Sequence, residues 1–180
     1  MATMSVLTSE HPILRRKAQK VKVFDRDLQR LADDMLETMR HAHGMGLAAN
    51  QVGVLKQIVV IEMPEEDDDP QSGQIYTLVN PEIVRRDGAQ VGEEGCLSVP
   101  GYVGQVRRAE QVTVRAQTLK GRRIRLESEG LLARVLQHEI DHLQGVLYVD
   151  HLERPEDLRT LPPEERWDLL DPEPADSQTS

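Results

Sequence analysis

The segment Leu131-Leu132-Ala133-Arg134-Val135-Leu136-Gln137-His138-Glu139-Ile140-Asp141-His142-Leu143 says more about the architecture than any other part of the chain. Leu132, Leu136, Ile140 and Leu143 form one apolar row at helical spacing. Leu131 and Val135 begin a second row that continues into His138 and His142. Only Arg134, Gln137, Asp141 and Gln144 make a polar stripe. A helix apolar round most of its circumference is predicted to be largely buried, and Ser128 is its expected cap. Two histidines on its inner side therefore need partners, because buried polar groups left unpaired are costly.

Within this helix His138-Glu139-Ile140-Asp141-His142 is an HExxH sequence. At about 100° per residue, His142 lies about 40° round from His138 and one turn on, so both imidazoles can reach one metal ion. Glu139 lies about 60° to the other side, within reach of a water on that ion without being a ligand. A catalytic site of this type needs three protein ligands and an open position. A third histidine six residues beyond His142 is missing, since Tyr148 stands there. Asp150, His151 and Glu153 are candidates downstream. So is Cys96, the single cysteine, in Glu93-Glu94-Gly95-Cys96-Leu97-Ser98. A lone cysteine is more often an inert buried residue, yet thiolate is a strong ligand for divalent metals.

Outward from the helix the chain reads as mixed. Leu28, Leu31, Met35, Leu36 and Met39 predict an amphipathic helix with Asp25 as N-cap and Gly44 as its stop. Residues 57–62 read as a buried strand and 63–74, rich in acids, as an exposed loop. Strands are expected over 75–79 and 82–86, with Asp87-Gly88 as a hairpin turn. Alternation predicts two more, around Val112–Ala116 and Ile124–Leu126, joined at Lys120-Gly121. After Glu153, prolines and acids predict a tail, 154–180, with one short helix near Glu164–Leu170, outside a domain of residues 1–153.

The 180 residues suit one domain, and a single cysteine excludes an internal disulfide framework. No apolar run approaches the roughly 20 residues of a membrane span, and the start has no secretory or import pattern. A cytoplasmic, monomeric protein without membrane contact is expected. A net charge of −9 argues against a dedicated DNA or RNA binder. The charge is uneven: residues 107–125 hold seven basic side chains and one acid, whereas 155–180 hold eight acids and two arginines.

Gly44-Met45-Gly46-Leu47-Ala48-Ala49-Asn50-Gln51, Glu94-Gly95-Cys96-Leu97-Ser98 and Gln137-His138-Glu139-Ile140-Asp141-His142 resemble, in that order, the three signature motifs of the peptide deformylase family. Ile13-Leu14-Arg15, Asn80-Pro81 and Gly145-Val146-Leu147 are similar as well, so the likeness runs from roughly Val6 to Glu153. The resemblance implies an α+β fold in which antiparallel β-sheets surround a central, largely buried HExxH helix. It implies hydrolysis of the formyl group from the N-terminal formyl-methionine of new polypeptides, releasing formate. Cys96, His138 and His142 match the family's metal ligands. The implied ion is Fe2+, with Zn2+, Ni2+ or Co2+ able to take its place.

By the same resemblance Glu139 moves the proton, while the Gln51 side-chain amide and the Leu97 backbone N–H stabilise the oxyanion. Gly44, Gly46 and Gly95 fall beside the substrate, the first two where its backbone could pass closely. Met45, Leu131 and Val135 are candidates for the methionine pocket, or else ordinary core. Asp141 is expected to pair with a basic residue such as Arg108, and His11, His41, His43 and His151 to lie at the surface. The partners implied are N-formyl-methionyl polypeptides; because the tail is acidic, ribosome association is expected to be transient and salt-sensitive at most. Without the resemblance, the residues reach only a metal-dependent hydrolase. A zinc peptidase using Asp150 or Glu153, or a non-enzymatic peptide-binding module, is an alternative at that point.

Overall fold

The computed structural model describes residues 2–66 and 68–166. Asp25 caps the first helix, α1 (Arg26–His41), its side chain accepting the Leu28 N–H at 3.0 Å. Eight strands follow among the described residues: β1 (Gly46–Ala48), β2 (Ile58–Glu62), β3 (Ile75–Asp87), β4 (Gln90–Cys96), β5 (Val99–Arg108), β6 (Gln111–Gln117), β7 (Arg123–Glu129) and β8 (Leu158–Thr160). The second helix, α2 (Gly130–Leu143), lies between β7 and β8. The strands form two antiparallel sheets, ordered β1-β2-β3-β6-β7 and β4-β5-β8.

The five-stranded sheet is covered on both faces, which explains the unbroken apolar run of β2. Ile58 and Val60 belong with Leu28, Met35 and Met39 of α1, whereas Val59 and Ile61 belong with Leu132, Leu136 and Ile140 of α2. Each such buried side chain contributes about 1.5–3 kcal/mol relative to exposure. The smaller sheet closes over the other side of α2, so the HExxH helix is enclosed between two antiparallel sheets, as the α+β expectation states. Arg134 and Gln137, expected on a polar stripe, are consequently buried rather than solvated. Arg134 Nη1 donates to the Val106 carbonyl at 3.0 Å, and Gln137 exchanges two 3.0 Å bonds with the Ala109 backbone.

Three local expectations are corrected. Asp87-Gly88 does not make a hairpin: β3 pairs with β6, Asp87 opposite Gln111, and the turn passes the chain into the other sheet. The strands expected over 75–79 and 82–86 are one, bulged at Asn80-Pro81, where Asn80 has φ of 51°. Ser128 does not cap α2. It belongs to β7, which stays paired with β6 as far as Glu129, and its Oγ faces the Val112 carbonyl at 3.4 Å. Gly130, with φ of 61°, then turns the chain into the helix.

The stretch after Glu153 contributes β8 to the smaller sheet, Tyr102 opposite Thr160. Of the short helix expected near Glu164–Leu170, the described part is a 3-10 turn over Pro163–Glu165, and residues 167–170 lie outside the described residues.

Candidate active site

Three pieces of chain meet at one corner: the end of β4, the inner side of α2 and the 3-10 turn Ala49–Val52 after β1. Cys96 Sγ lies 3.3 Å from His142 Nε2, which lies 3.3 Å from His138 Nε2. The three ligand atoms fall within 4.8 Å of one another. The alternatives downstream are committed elsewhere. Asp150 pairs with Arg15 and accepts the Leu147 N–H, His151 pairs with Asp141 at 2.8 Å, and Glu153 faces Arg107 at 3.5 Å. Tyr148 is buried, stacked on the His138 ring, and burial raises its phenol pKa.

Glu94 explains why His138 turns its Nε2 inward, whereas the buried Nδ1 of His142 has no hydrogen-bond partner among the described residues. Glu94 Oε1 receives Arg108 Nη2 at 2.9 Å and faces His138 Nδ1 at 2.8 Å. Its Oε2 receives Arg108 Nε at 2.9 Å and Arg134 Nη1 at 2.6 Å. Burial alone would raise the Glu94 pKa, but the hydrogen bonds with Arg108 and His138 outweigh it and hold the carboxyl well below the usual range. An ionised carboxylate can only accept, so Nδ1 of His138 carries a proton and Nε2 is the nitrogen turned towards a metal ion. Asn50 donates to the His142 carbonyl, fastening the turn to the helix. A sulfur and two imidazole nitrogens, brought together inside the protein and backed by a carboxylate, suit a divalent cation of borderline softness.

Beside them, Glu139 is buried and its Oε2 has no partner among the described residues. Desolvation is the main cause that pushes its pKa up to about 7; the His138 charge opposes and Glu94 adds to it. Gln51 is fixed at both ends: Oε1 accepts the Ala48 N–H at 2.9 Å, while Nε2 lies 3.0 Å from Ser98 Oγ and 3.6 Å from Cys96 Sγ. Leu97 follows Cys96 in the β4–β5 turn, with its side chain buried.

The glycines also have a reason within the fold itself. A Cβ on Gly46 would stand 2.6 Å from Glu139 Oε1, and one on Gly44 would stand 2.8 Å from Leu97 Cδ1. Gly95 is tight as well, 3.3 Å from Val103 Cγ1. All three line a cavity of about 270 Å³ together with Met45, Leu131 and Val135. Met45 and Leu131 remain 40% and 36% exposed, whereas Val135 is buried. The Asp141–Arg108 pair is present at 2.6 Å, and His11, His41, His43 and His151 are exposed. Sequence reasoning passed over the roles of Glu94, Arg134, Asn50 and Ser98. Their nearest signal was that three of them lie inside the quoted motifs.

An HExxH helix enclosed by antiparallel sheets, with a cysteine from a neighbouring strand, defines a class of metallohydrolase. The polypeptide deformylase family matches residues 3–157. A peptide deformylase of Thermomicrobium roseum is 51% identical over 168 residues, covering 92% of this chain and 94% of its own. The crystal structure of a peptide deformylase from Legionella pneumophila has a TM-score of 0.79 at 44% identity, covering 87% of this chain and 89% of that one. A Met-Ala-Ser-bound class I type b peptide deformylase from Acinetobacter baumannii has a TM-score of 0.79 at 36% identity, covering 84% and 99%. The chain belongs to the polypeptide deformylase family, metalloenzymes that hydrolyse the N-formyl group from nascent polypeptides.

Proposed function

We propose that Cys96, His138 and His142 hold one divalent ion and that Glu139, Gln51 and the Leu97 backbone carry out deformylation beside it. The observation that supports this most is the buried Glu139 carboxylate, one oxygen unpaired, on the wall of the cavity that also holds Cys96 and His138. When bound, the ion supplies Lewis acidity, which makes water a nucleophile near neutral pH. Glu139 takes a proton from the attacking water and returns it to the departing amine. The formyl C–N bond breaks, giving formate and a free N-terminus. Negative charge that develops on the former carbonyl oxygen is met by the Gln51 Nε2–H and the Leu97 N–H, donors set before the reaction begins. Gly44, Gly46 and Gly95 leave room for the peptide, and Met45, Leu131 and Val135 receive the methionine side chain. The Met-Ala-Ser ligand of the Acinetobacter baumannii relative agrees with such a pocket.

Fe2+ is the ion we assign, with Zn2+, Ni2+ and Co2+ as substitutes compatible with a mixed nitrogen and sulfur site; metal analysis after anaerobic purification checks it. The decisive experiment compares wild type, Glu139→Gln and Cys96→Ala on a formyl-methionyl peptide. Glu139→Gln is expected to keep stoichiometric metal while formate release falls at least about 100-fold. Cys96→Ala is expected to lose the metal. Full activity of Glu139→Gln, or stoichiometric metal in Cys96→Ala, would overturn the assignment.

We further propose a cytoplasmic monomer that meets the ribosome only transiently and binds neither DNA nor membrane. Among the described residues no helix is long and apolar enough to cross a membrane. The basic stretch 107–125 is partly neutralised: Arg108 is buried in ion pairs, Arg107 faces Glu153 and Arg125 faces Glu127 at 3.6 Å. Salt-resistant cosedimentation with ribosomes would contradict this reading.

A further inference from the structure

The family match ends at residue 157, and β8 begins at the next residue. There the chain lies along β5, with Gly104 opposite Leu158, Val103 opposite Arg159 and Tyr102 opposite Thr160. Leu161 extends the ladder by donating its N–H to the Gly101 carbonyl at 2.8 Å. Arg159 reaches β4, where its guanidinium forms a two-pronged pair with Glu93 at 2.9 and 3.0 Å. Glu93 and Leu161 both line the cavity that holds Cys96, His138 and Glu139. The segment after residue 157 is thus fastened by backbone ladder and ion pair to the wall of the site, and it places one apolar side chain there.

We propose that Leu161 is a specificity-determining residue of the substrate cleft, making apolar contact with the side chains that follow the formylated methionine. The inference rests on the deformylation reading above. The formyl group must reach the corner formed by Cys96, His138 and His142, and the peptide must leave towards solvent. Leu131 and Val135, on α2, are the walls assigned to methionine. Leu161 stands on a different element, bonded to Gly101 at the β5 side of the cavity, next in the ladder to Tyr102, which is 42% exposed. Leu161 itself is only half-buried, so part of its apolar surface is left for a ligand to cover. Nothing polar in that side chain can orient a peptide; what it adds is preference for apolar over small polar residues downstream. Because a ladder with β5 fixes the position of Leu161, its surface is in place before substrate arrives.

The test uses the full chain, metal-loaded, as wild type, Leu161→Ser and Leu161→Met. The substrates are formyl-Met amide, formyl-Met-Ser-Ser amide and formyl-Met-Leu-Leu amide. In wild type, kcat/KM for the Leu-Leu substrate exceeds that for the Ser-Ser substrate. In Leu161→Ser, the ratio of Leu-Leu to formyl-Met amide falls about 3- to 10-fold, as expected for one partly buried aliphatic contact. Leu161→Met restores most of it. A ratio unchanged in Leu161→Ser overturns the assignment, whether or not absolute rates fall. Equal losses on all three substrates would put Leu161 in the methionine pocket instead. A metal-loaded wild type inactive on all three substrates overturns the deformylation reading itself, and this inference with it.

Discussion

Glu94 accepts from two buried arginines and one histidine, and among the described residues it is the only carboxylate paired with Arg134. Replacing it by glutamine removes the charge that Arg108 and Arg134 face inside the protein. Breaking a buried ion network by neutralising one partner costs about 3–5 kcal/mol, because the remaining charges stay desolvated. Glu94→Gln is therefore expected to lower stability by that amount in chemical denaturation. It is also expected to weaken metal binding about 10- to 100-fold, since the acceptor facing the second nitrogen of His138 loses its negative charge. Retention of both properties would remove Glu94 from the role given to it here. At this scale the sequence is legible where chemistry is local: His138, Glu139 and His142 share one helical turn, and their spacing states their geometry. Arg134 is not legible. A charged residue on a helix is normally solvated, and its burial depends on a carboxylate 40 residues earlier in the chain.

Among elements, β3 shows what periodicity can and cannot convey. Its apolar residues and those of β6 are evident from alternation, but no local pattern says that β3 pairs with β6 instead of β4. Pairing is decided by long-range burial, which leaves Asp87-Gly88 looking like a hairpin when it is a crossing between sheets. The break at Asn80-Pro81 has a physical reason: proline lacks the N–H a ladder needs, and Asn80 sits in the left-handed region that asparagine tolerates. The Asn80 side chain turns this irregularity into a clamp. It accepts the Val21 N–H at 2.7 Å and donates to the Val21 carbonyl at 2.9 Å and to Gln117 Oε1 at 2.8 Å. Asn80→Ala removes all three bonds and leaves the Val21 backbone unpaired, for an expected loss of about 2–4 kcal/mol by urea denaturation. Asn80 does not line the catalytic cavity, so formate release per folded molecule should be retained. A variant of wild-type stability would show that the clamp contributes nothing.

At the scale of the molecule, the two sheets are held to α2 by different means. The two main apolar clusters draw on α1, α2 and the five-stranded sheet, and the β4–β5 hairpin joins them through Leu97 of its turn, not through a strand residue of β4, β5 or β8. The smaller sheet is tied to the helix largely through polar groups: Glu94 to Arg134 and His138, Arg108 to Asp141, and Cys96 beside His142. A metal ion shared by Cys96, His138 and His142 would thus join β4 to α2 in addition to any chemical role. Ligand binding stabilises the folded state by about 2.7 kcal/mol at a free concentration of 100 times Kd. Removal of the ion should therefore favour openings that separate β4 from α2 by about 100-fold, and other openings less. Hydrogen exchange followed before and after chelation is expected to accelerate by that order in β4, β5 and β8, with β2, β3 and the buried face of β6 changing much less. The thiol of Cys96 should become reactive over the same titration. The apparent Tm should fall by about 5–11 °C, given about 2–4 °C per kcal/mol for a chain of this size. Equal acceleration in both sheets would instead mean that they open together, with the Glu94 network strong enough to hold the smaller sheet when the ion has gone.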